Sequence, residues 1–170
     1  MNFLKKLFNN KEESAPAMAK EPGTVYAPLS GTAITLAEIG DGVFSEGILG
    51  PGCGIRPAEE TVYAPFDGTV IQVADTKHAV GIASKDGIEL LIHVGLDTVA
   101  MKGKGFQVYV SCGDHVSRGQ KLLKFSKEEI AAAGYFDTTA VLVTNSDEYS
   151  SVEMCTVGEV SSSDKLLTVK

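Results

Sequence analysis

His78 and His93 are the residues of this chain whose type and spacing could do chemistry. Each stands in a short run of alternating side chains, and the two runs flank Asp86-Gly87. A neutral imidazole offers one nitrogen as nucleophile, base or metal ligand while the other carries a proton. Asp-Gly between β-type runs is a strong signal for a hairpin with a two-residue turn. With Asp86 and Gly87 as the loop, Lys85 faces Ile88, Val80 faces His93 and His78 faces Gly95. The two histidines are then diagonal neighbours, with Cα atoms roughly 7–8 Å apart, so their rings could meet. Alternation sends Leu90, Ile92 and Val94 to a core face, with Ala79, Gly81 and Ala83 across from them. It groups Glu89, Leu91 and His93 with His78, Val80, Ile82 and Thr76 on the outward face. A three-residue loop would break this register.

Three uses compete for such a pair: metal ligation, general acid-base work, and nucleophilic acceptance of a transferable group. A catalytic zinc needs a third protein ligand, and His115, in a turn-like G-D-H-V stretch, reads as solvated. No G-x-S-x-G elbow and no Walker-type glycine loop occur. Phosphoryl acceptance remains. It asks for one ring nitrogen free as a nucleophile, the other fixed by a hydrogen bond, and a donor for the phosphoryl oxygens. His93 and His78 can divide those parts.

The elements that must position the pair are strands. The chain has 170 residues, 18 of them glycine, with short V/I/T-rich runs and little helical periodicity. V-Y-A-P-L-S-G-T at Val25 to Thr32 recurs as V-Y-A-P-F-D-G-T at Val62 to Thr69, identical in six of eight positions. Two copies imply a duplicated strand-turn-strand unit, since a solenoid needs three or more. Ser126 and Glu129 mark a capping box for one short helix over Glu128 to Ala133, ended by Gly134. Strands are expected at Phe106 to Val110, Val141 to Asn145, near Cys155 to Val160, and at Leu166 to Val169. The fold class is therefore all-β, a sandwich or squat barrel. Between the copies, the glycine-rich stretch holding Asp41, Val43, Phe44 and Ile48 reads either as an exposed loop or as a turn over core residues.

Residues 1–22 read as a tail and linker, and 23–170 as one domain. Phe3, Leu4, Leu7 and Phe8 beside Lys5 and Lys6 would make a two-turn amphipathic helix with weak affinity for an anionic membrane surface. A formal charge of -7 argues against nucleic acid as a partner. Three widely spaced cysteines, Cys53, Cys112 and Cys155, suggest isolated buried thiols in a reducing cytoplasm rather than a disulfide framework.

Thr76, His78, Leu90, His93, Gly95, Asp97, Thr98 and Val99 form a T-x-H then L-x-x-H-x-G-x-D-T-V set. With Y-A-P-x-x-G-T, the K-G-x-G-F of Lys102 to Phe106 and the V-T-N-x-D-E of Val143 to Glu148, it resembles the glucose-type enzyme IIA component of the bacterial phosphoenolpyruvate-dependent sugar phosphotransferase system. The resemblance spans residues 23–170 and extends to the amphipathic start, which in free-standing members tethers the domain at the inner face of the membrane. It implies a duplicated hybrid motif and a phosphohistidine mechanism. His93 would take a phosphoryl group on Nε2 from the carrier HPr and pass it to a cysteine of an enzyme IIB domain. His78 would donate to the phosphoryl oxygens, and Thr76 would hold the His78 tautomer. Asp41 and Asp97 would face basic groups of HPr, and Val43, Phe44, Ile48, Leu91 and Val99 would form an apolar docking patch. Leu91 and Ala74 stand where members often carry Phe. The resemblance also implies a membrane IIBC permease as partner, regulatory target proteins, and a zinc ion shared by His78 and His93 with a partner's carboxylate.

Two other readings stay open. A-M-K at Ala100 to Lys102 and G-D-H-V-S-R-G-Q-K-L resemble a biotin- or lipoyl-carrier module, and a zinc hydrolase of the lysostaphin type uses a related duplicated β architecture. The first places its lysine at a hairpin tip, and the second requires an H-x-H pair that is absent.

Overall fold

The computed structural model describes residues 23–170; the tail and linker expected over 1–22 lie outside them. The repeated V-Y-A-P-x-x-G-T segment folds the same way twice. Strands β1 (Thr24–Tyr26) and β2 (Gly31–Thr35) flank the first turn, and β4 (Thr61–Tyr63) and β5 (Gly68–Val73) flank the second. The copies exchange equivalent hydrogen bonds: Tyr26 N–H donates to the Pro65 carbonyl at 3.2 Å, and Tyr63 N–H to the Pro28 carbonyl at 2.7 Å. Such an exchange is what an approximate two-fold axis between the copies produces.

A second echo follows the same axis. H-V-S-R-G-Q-K-L-L at 115–123 builds β9 (His115–Val116) and β10 (Lys121–Phe125), and E-V-S-S-S-D-K-L-L at 159–167 builds β13 (Gly158–Val160) and most of β14 (Lys165–Val169). Gly119 N–H donates to the Ala64 carbonyl and Ser163 N–H to the Ala27 carbonyl, with both residues at positive φ. The remaining strands are β3 (Gly52–Pro57), β6 (Ala79–Ser84), β7 (Glu89–Val94), β8 (Phe106–Val108), β11 (Thr139–Val143) and β12 (Val152–Met154). Two small sheets, β1-β14-β12 and β4-β10-β8, are thus counterparts. The eight-stranded sheet runs β13-β2-β3-β11-β7-β6-β5-β9, so the axis passes between β11 and β7. The sheets stay open, which selects the sandwich over the barrel.

The main core lies between the layers. Val25, Leu166 and Leu167 from one small sheet and Val62, Leu122 and Phe125 from the other pack with Ile55, Ile82, Leu90, Ile92 and Val141 of the large one. Each fully buried aliphatic side chain contributes roughly 1.5–3 kcal/mol. A smaller cluster on the opposite face of the large sheet joins Ile34, Ile39, Phe44, Ala140 and Leu142.

Four sequence expectations change. The hairpin loop is Lys85, Asp86 and Gly87, with Gly87 at φ 95°, because Ser84 N–H already donates to the Ile88 carbonyl at 2.8 Å. A glycine-closed three-residue loop shifts register by one. Ala79 therefore faces His93 and Val80 faces Ile92, so Val80 and Ile82 join the core while Ala79, Gly81 and Ala83 share the His93 face. Next, the short helix α2 (Lys127–Ala132) is joined by a helical turn α1 (Leu36–Ile39) and two 3₁₀ turns, Thr98–Met101 and Ser146–Glu148. A reciprocal capping box of Thr35 and Glu38 starts α1, and Gly40 at φ 68° ends it. The strand expected near Cys155 to Val160 divides into β12 and β13, which belong to different sheets. Finally, only Cys53 is buried, its thiol pushed up to about 12 by burial and then by Cys155; Cys112 and Cys155 are exposed.

Candidate functional site

His93 stands near the end of β7, beside the axis at the middle of the large sheet. His78 immediately precedes β6 and follows Lys77, whose φ of 63° lies in the left-handed region. The Val94 N–H donates to the His78 carbonyl at 2.8 Å, so His78 pairs with a core-facing residue. Strict alternation would turn its ring inward. Because His78 lies outside the strand and after the bend at Lys77, its ring reaches His93 instead, with centroids 4.6 Å apart and planes at 81°. The meeting expected from the sequence occurs, but through a bend rather than a diagonal pairing.

Each imidazole is held at Nδ1. That of His93 donates to the Gly95 carbonyl at 3.0 Å, which leaves Nε2 with its lone pair in the neutral ring. Gly95 has φ 85°, and a Cβ there would stand 2.2 Å from the Thr98 Cγ2, so only glycine can turn this carbonyl back toward the histidine. On His78, Nδ1 lies 2.8 Å from the Thr76 Oγ1. Burial first, and the neighbouring His78 second, push the His93 imidazole down to about 4; burial lowers His78 as well. Both rings are therefore neutral at pH 7. His78 is 5% exposed and His93 partly exposed. Phe44 packs on His93 at a centroid distance of 4.8 Å, and Phe106 lies 6.4 Å from His78.

Of the remaining expected residues, Phe44 packs on His93 and the Asp41 charge acts on it. Asp41 fixes the loop that carries Phe44, accepting from the Phe44 and Ser45 N–H groups at 3.1 and 3.0 Å. Burial pushes its carboxyl up, but backbone N–H donors outweigh that and hold it below the usual value. Asp97 is exposed at φ 62°, directly before the Thr98–Met101 turn. Val43, Ile48 and Val99 are 47%, 70% and 55% exposed, while Leu91 is half-buried on the His93 face. Phe44, at 6%, takes the core alternative and walls the histidine rather than offering area to a partner. Sequence reasoning gave no role to Gly95, whose H-x-G spacing was the available signal, nor to Phe106. His115 lies elsewhere, on β9, with Nδ1 3.1 Å from the Thr69 hydroxyl.

Among the described residues, no three His, Cys, Asp or Glu side chains converge to hold a metal ion, and no helix is long and apolar enough to cross a membrane. Residues 23–149 match the family described as phosphoenolpyruvate-dependent sugar phosphotransferase system, EIIA 1.

The chain belongs to this family. It is similar to the glucose-specific EIIA component of Staphylococcus aureus, 39% identical over 152 residues that cover 89% of each chain. It also matches the beta-glucoside-specific EIIBCA component of Bacillus subtilis, 43% identical over 145 residues, 85% of this chain and 24% of that one. The chain thus spans about a quarter of the length of several curated relatives. Among solved structures, glucose permease IIA from Mycoplasma capricolum superposes with a TM-score of 0.78 at 36% identity, covering 85% of this chain and 93% of that one. The chain is thus an EIIA unit of the sugar phosphotransferase system, and the relatives of several times its length are named as EIIBCA components. The biotin- or lipoyl-carrier and zinc-hydrolase readings end here, and Lys102 closes a 3₁₀ turn rather than tipping a hairpin.

Proposed function

We propose that His93 is the phosphoryl acceptor of this EIIA unit. Its Nε2 attacks the phosphorus of the HPr phosphohistidine, the donor N–P bond breaks, and a new Nε2–P bond forms. A cysteine thiolate of an EIIB domain then attacks in turn, the Nε2–P bond breaks, and an S–P bond forms. One observation carries this reading: the Gly95 carbonyl holds the Nδ1–H of a neutral His93, so the other nitrogen is the nucleophile without any prior proton loss.

His78 is the donor to the transferring group. With the Thr76 hydroxyl donating to its Nδ1, its Nε2 carries the proton and can donate to a phosphoryl oxygen. A preorganised donor beside developing charge is the main contribution a protein makes to phosphoryl transfer, which otherwise asks for positioning. Asp41 and Asp97 meet basic groups of HPr, and exposed Val43, Ile48 and Val99 with Leu91 supply the apolar contact area. Among the described residues zinc would find only His78 and His93 as ligands, so a shared ion would need a carboxylate from a regulatory partner. The unit works in the cytoplasm at the inner membrane face, beside an EIIBC permease that selects the sugar.

Incubation with phosphoenolpyruvate, enzyme I and HPr tests this. The wild-type chain should gain one acid-labile phosphoryl group at His93, and the His93→Ala chain none; a His93→Ala chain labelled at the wild-type rate overturns the assignment.

A further inference from the structure

Beside the histidine pair lies a cluster of lysines on a protein of formal charge -7. The bend that delivers His78 contains Lys77, and it touches the K-G-K segment after the Thr98–Met101 turn. A Cβ on Gly103 would stand 3.8 Å from the Thr76 carbonyl oxygen and 3.9 Å from the Lys77 Cδ. Lys102 and Lys104 flank that glycine, and all three lysines are exposed. No ion pair among the described residues engages them. One carboxylate, Asp75, shares the bend. Two of the lysines sit at positive φ, Lys77 at 63° and Lys102 at 54°, where glycine or asparagine is easier to hold. Conformation does not favour lysine at either place, so charge is the property that those positions supply. Asp41 and Asp97 add opposite charge around the same histidines. The surroundings of the pair are therefore two-signed.

We propose that Lys77, Lys102 and Lys104 receive an acidic patch on the protein that exchanges its phosphoryl group with His93. This rests on the function proposed above and deepens it. A partner basic where it meets Asp41 and Asp97 and acidic where it meets the lysines can dock in one orientation only, which brings its phosphoryl-bearing atom to His93 rather than past it. Complementary charges of this kind act on encounter rate and register more than on the bound state, and salt weakens them.

The test is a Lys77→Asn, Lys104→Gln chain, with Lys77→Arg, Lys104→Arg as the charge-preserving control, assayed for transfer from phospho-HPr and to EIIB at low and high ionic strength. The expected result is a second-order rate constant about 10-fold lower with at least one partner at low salt, converging on wild type at high salt, with the arginine chain normal. Equal rates with both partners at low salt overturn the proposal. So does a deficit that persists at high salt, which would make the lysines part of the chemistry. Loss of binding to anionic vesicles with transfer intact overturns it in favour of a lipid surface. A wild-type chain that takes no label at all instead refutes His93 as acceptor, and this inference with it.

Discussion

The two halves of the large sheet share one backbone plan and differ in what they carry. Val94 N–H donates to the His78 carbonyl at 2.8 Å, and across the axis Val143 N–H donates to the Pro51 carbonyl at 2.8 Å. The pairing of His93 with Ala140 on β7 and β11 is mirrored by that of Leu91 with Leu142. Pro51 is thus the counterpart of His78, and Leu142 that of His93. Between β5 and β6 the chain turns within residues 74–78; between β2 and β3 it runs through residues 36–51 and folds α1 and Phe44 over the face. One half supplies the imidazoles, His78 from a tight bend and His93 from β7, and the other supplies the wall that dries them. Neither half makes the site alone, because the depressed pKa of His93 depends on burial that includes the long connection of its twin.

The sharpest break of this comparison is His93→Ala against Leu142→Ala. The first should abolish phosphoryl labelling with little loss of stability. The second, in a fully buried position, should cost about 2–5 kcal/mol in denaturant unfolding while the folded chain still takes label. His78→Gln should accept phosphate yet pass it to EIIB about 10²–10³-fold more slowly, as loss of one preorganised donor predicts; onward transfer at wild-type speed would remove its donor role.

Acidity separates the halves again. The acceptance rate should stay level from pH 8 to 5 and fall tenfold per unit below about 4, once the His93 nucleophile is protonated. Stability follows the same sign. An unfolded His93 titrates near its ordinary 6.5 while the folded one resists protonation, so the contribution is full above 6.5 and declines as pH falls toward 4. Thermal unfolding of His93→Leu should lose that part of the dependence. Thr76→Val should slow onward transfer by about 10-fold, since the His78 ring stays but its proton is no longer directed. The smallest effect tests the symmetry itself. Ser163, at φ 75°, occupies the place of Gly119 at φ 87°, so Ser163→Gly should stabilise by up to about 1 kcal/mol in the same unfolding assay.

What the sequence disclosed follows from how local each signal is. The first repeat was legible because six of its eight residues are unchanged, and half of the α2 cap because the Ser126 hydroxyl accepts from the Glu129 N–H; the reciprocal half is missing, since the Ser126 N–H donates to the Gly105 carbonyl at 2.8 Å. The second repeat was not seen, since Arg118, Gly119 and Gln120 have become Ser162, Ser163 and Asp164 while the turn geometry persisted. Asp86-Gly87 indicated a hairpin correctly and its length wrongly, because a glycine at positive φ closes two-residue and three-residue loops alike. That slip reversed the facing of β6 yet spared the histidine pair, whose contact depends on Lys77 and not on alternation. The sequence left Phe44 open between loop and core, for its burial arises from a connection whose path is set by tertiary packing on Ile39 and Leu142.

The Val169 N–H donates to the Gly23 carbonyl at 2.7 Å, and β1 lies against β14. The folded body is thus entered and left through a single doorway. A neighbouring unit hung on either terminus would be leashed at the same spot, and the reach of His93 toward it would be set by leash length rather than by which end was used. One such fold can serve a free-standing carrier and a segment of a long multi-unit chain without rebuilding its interior.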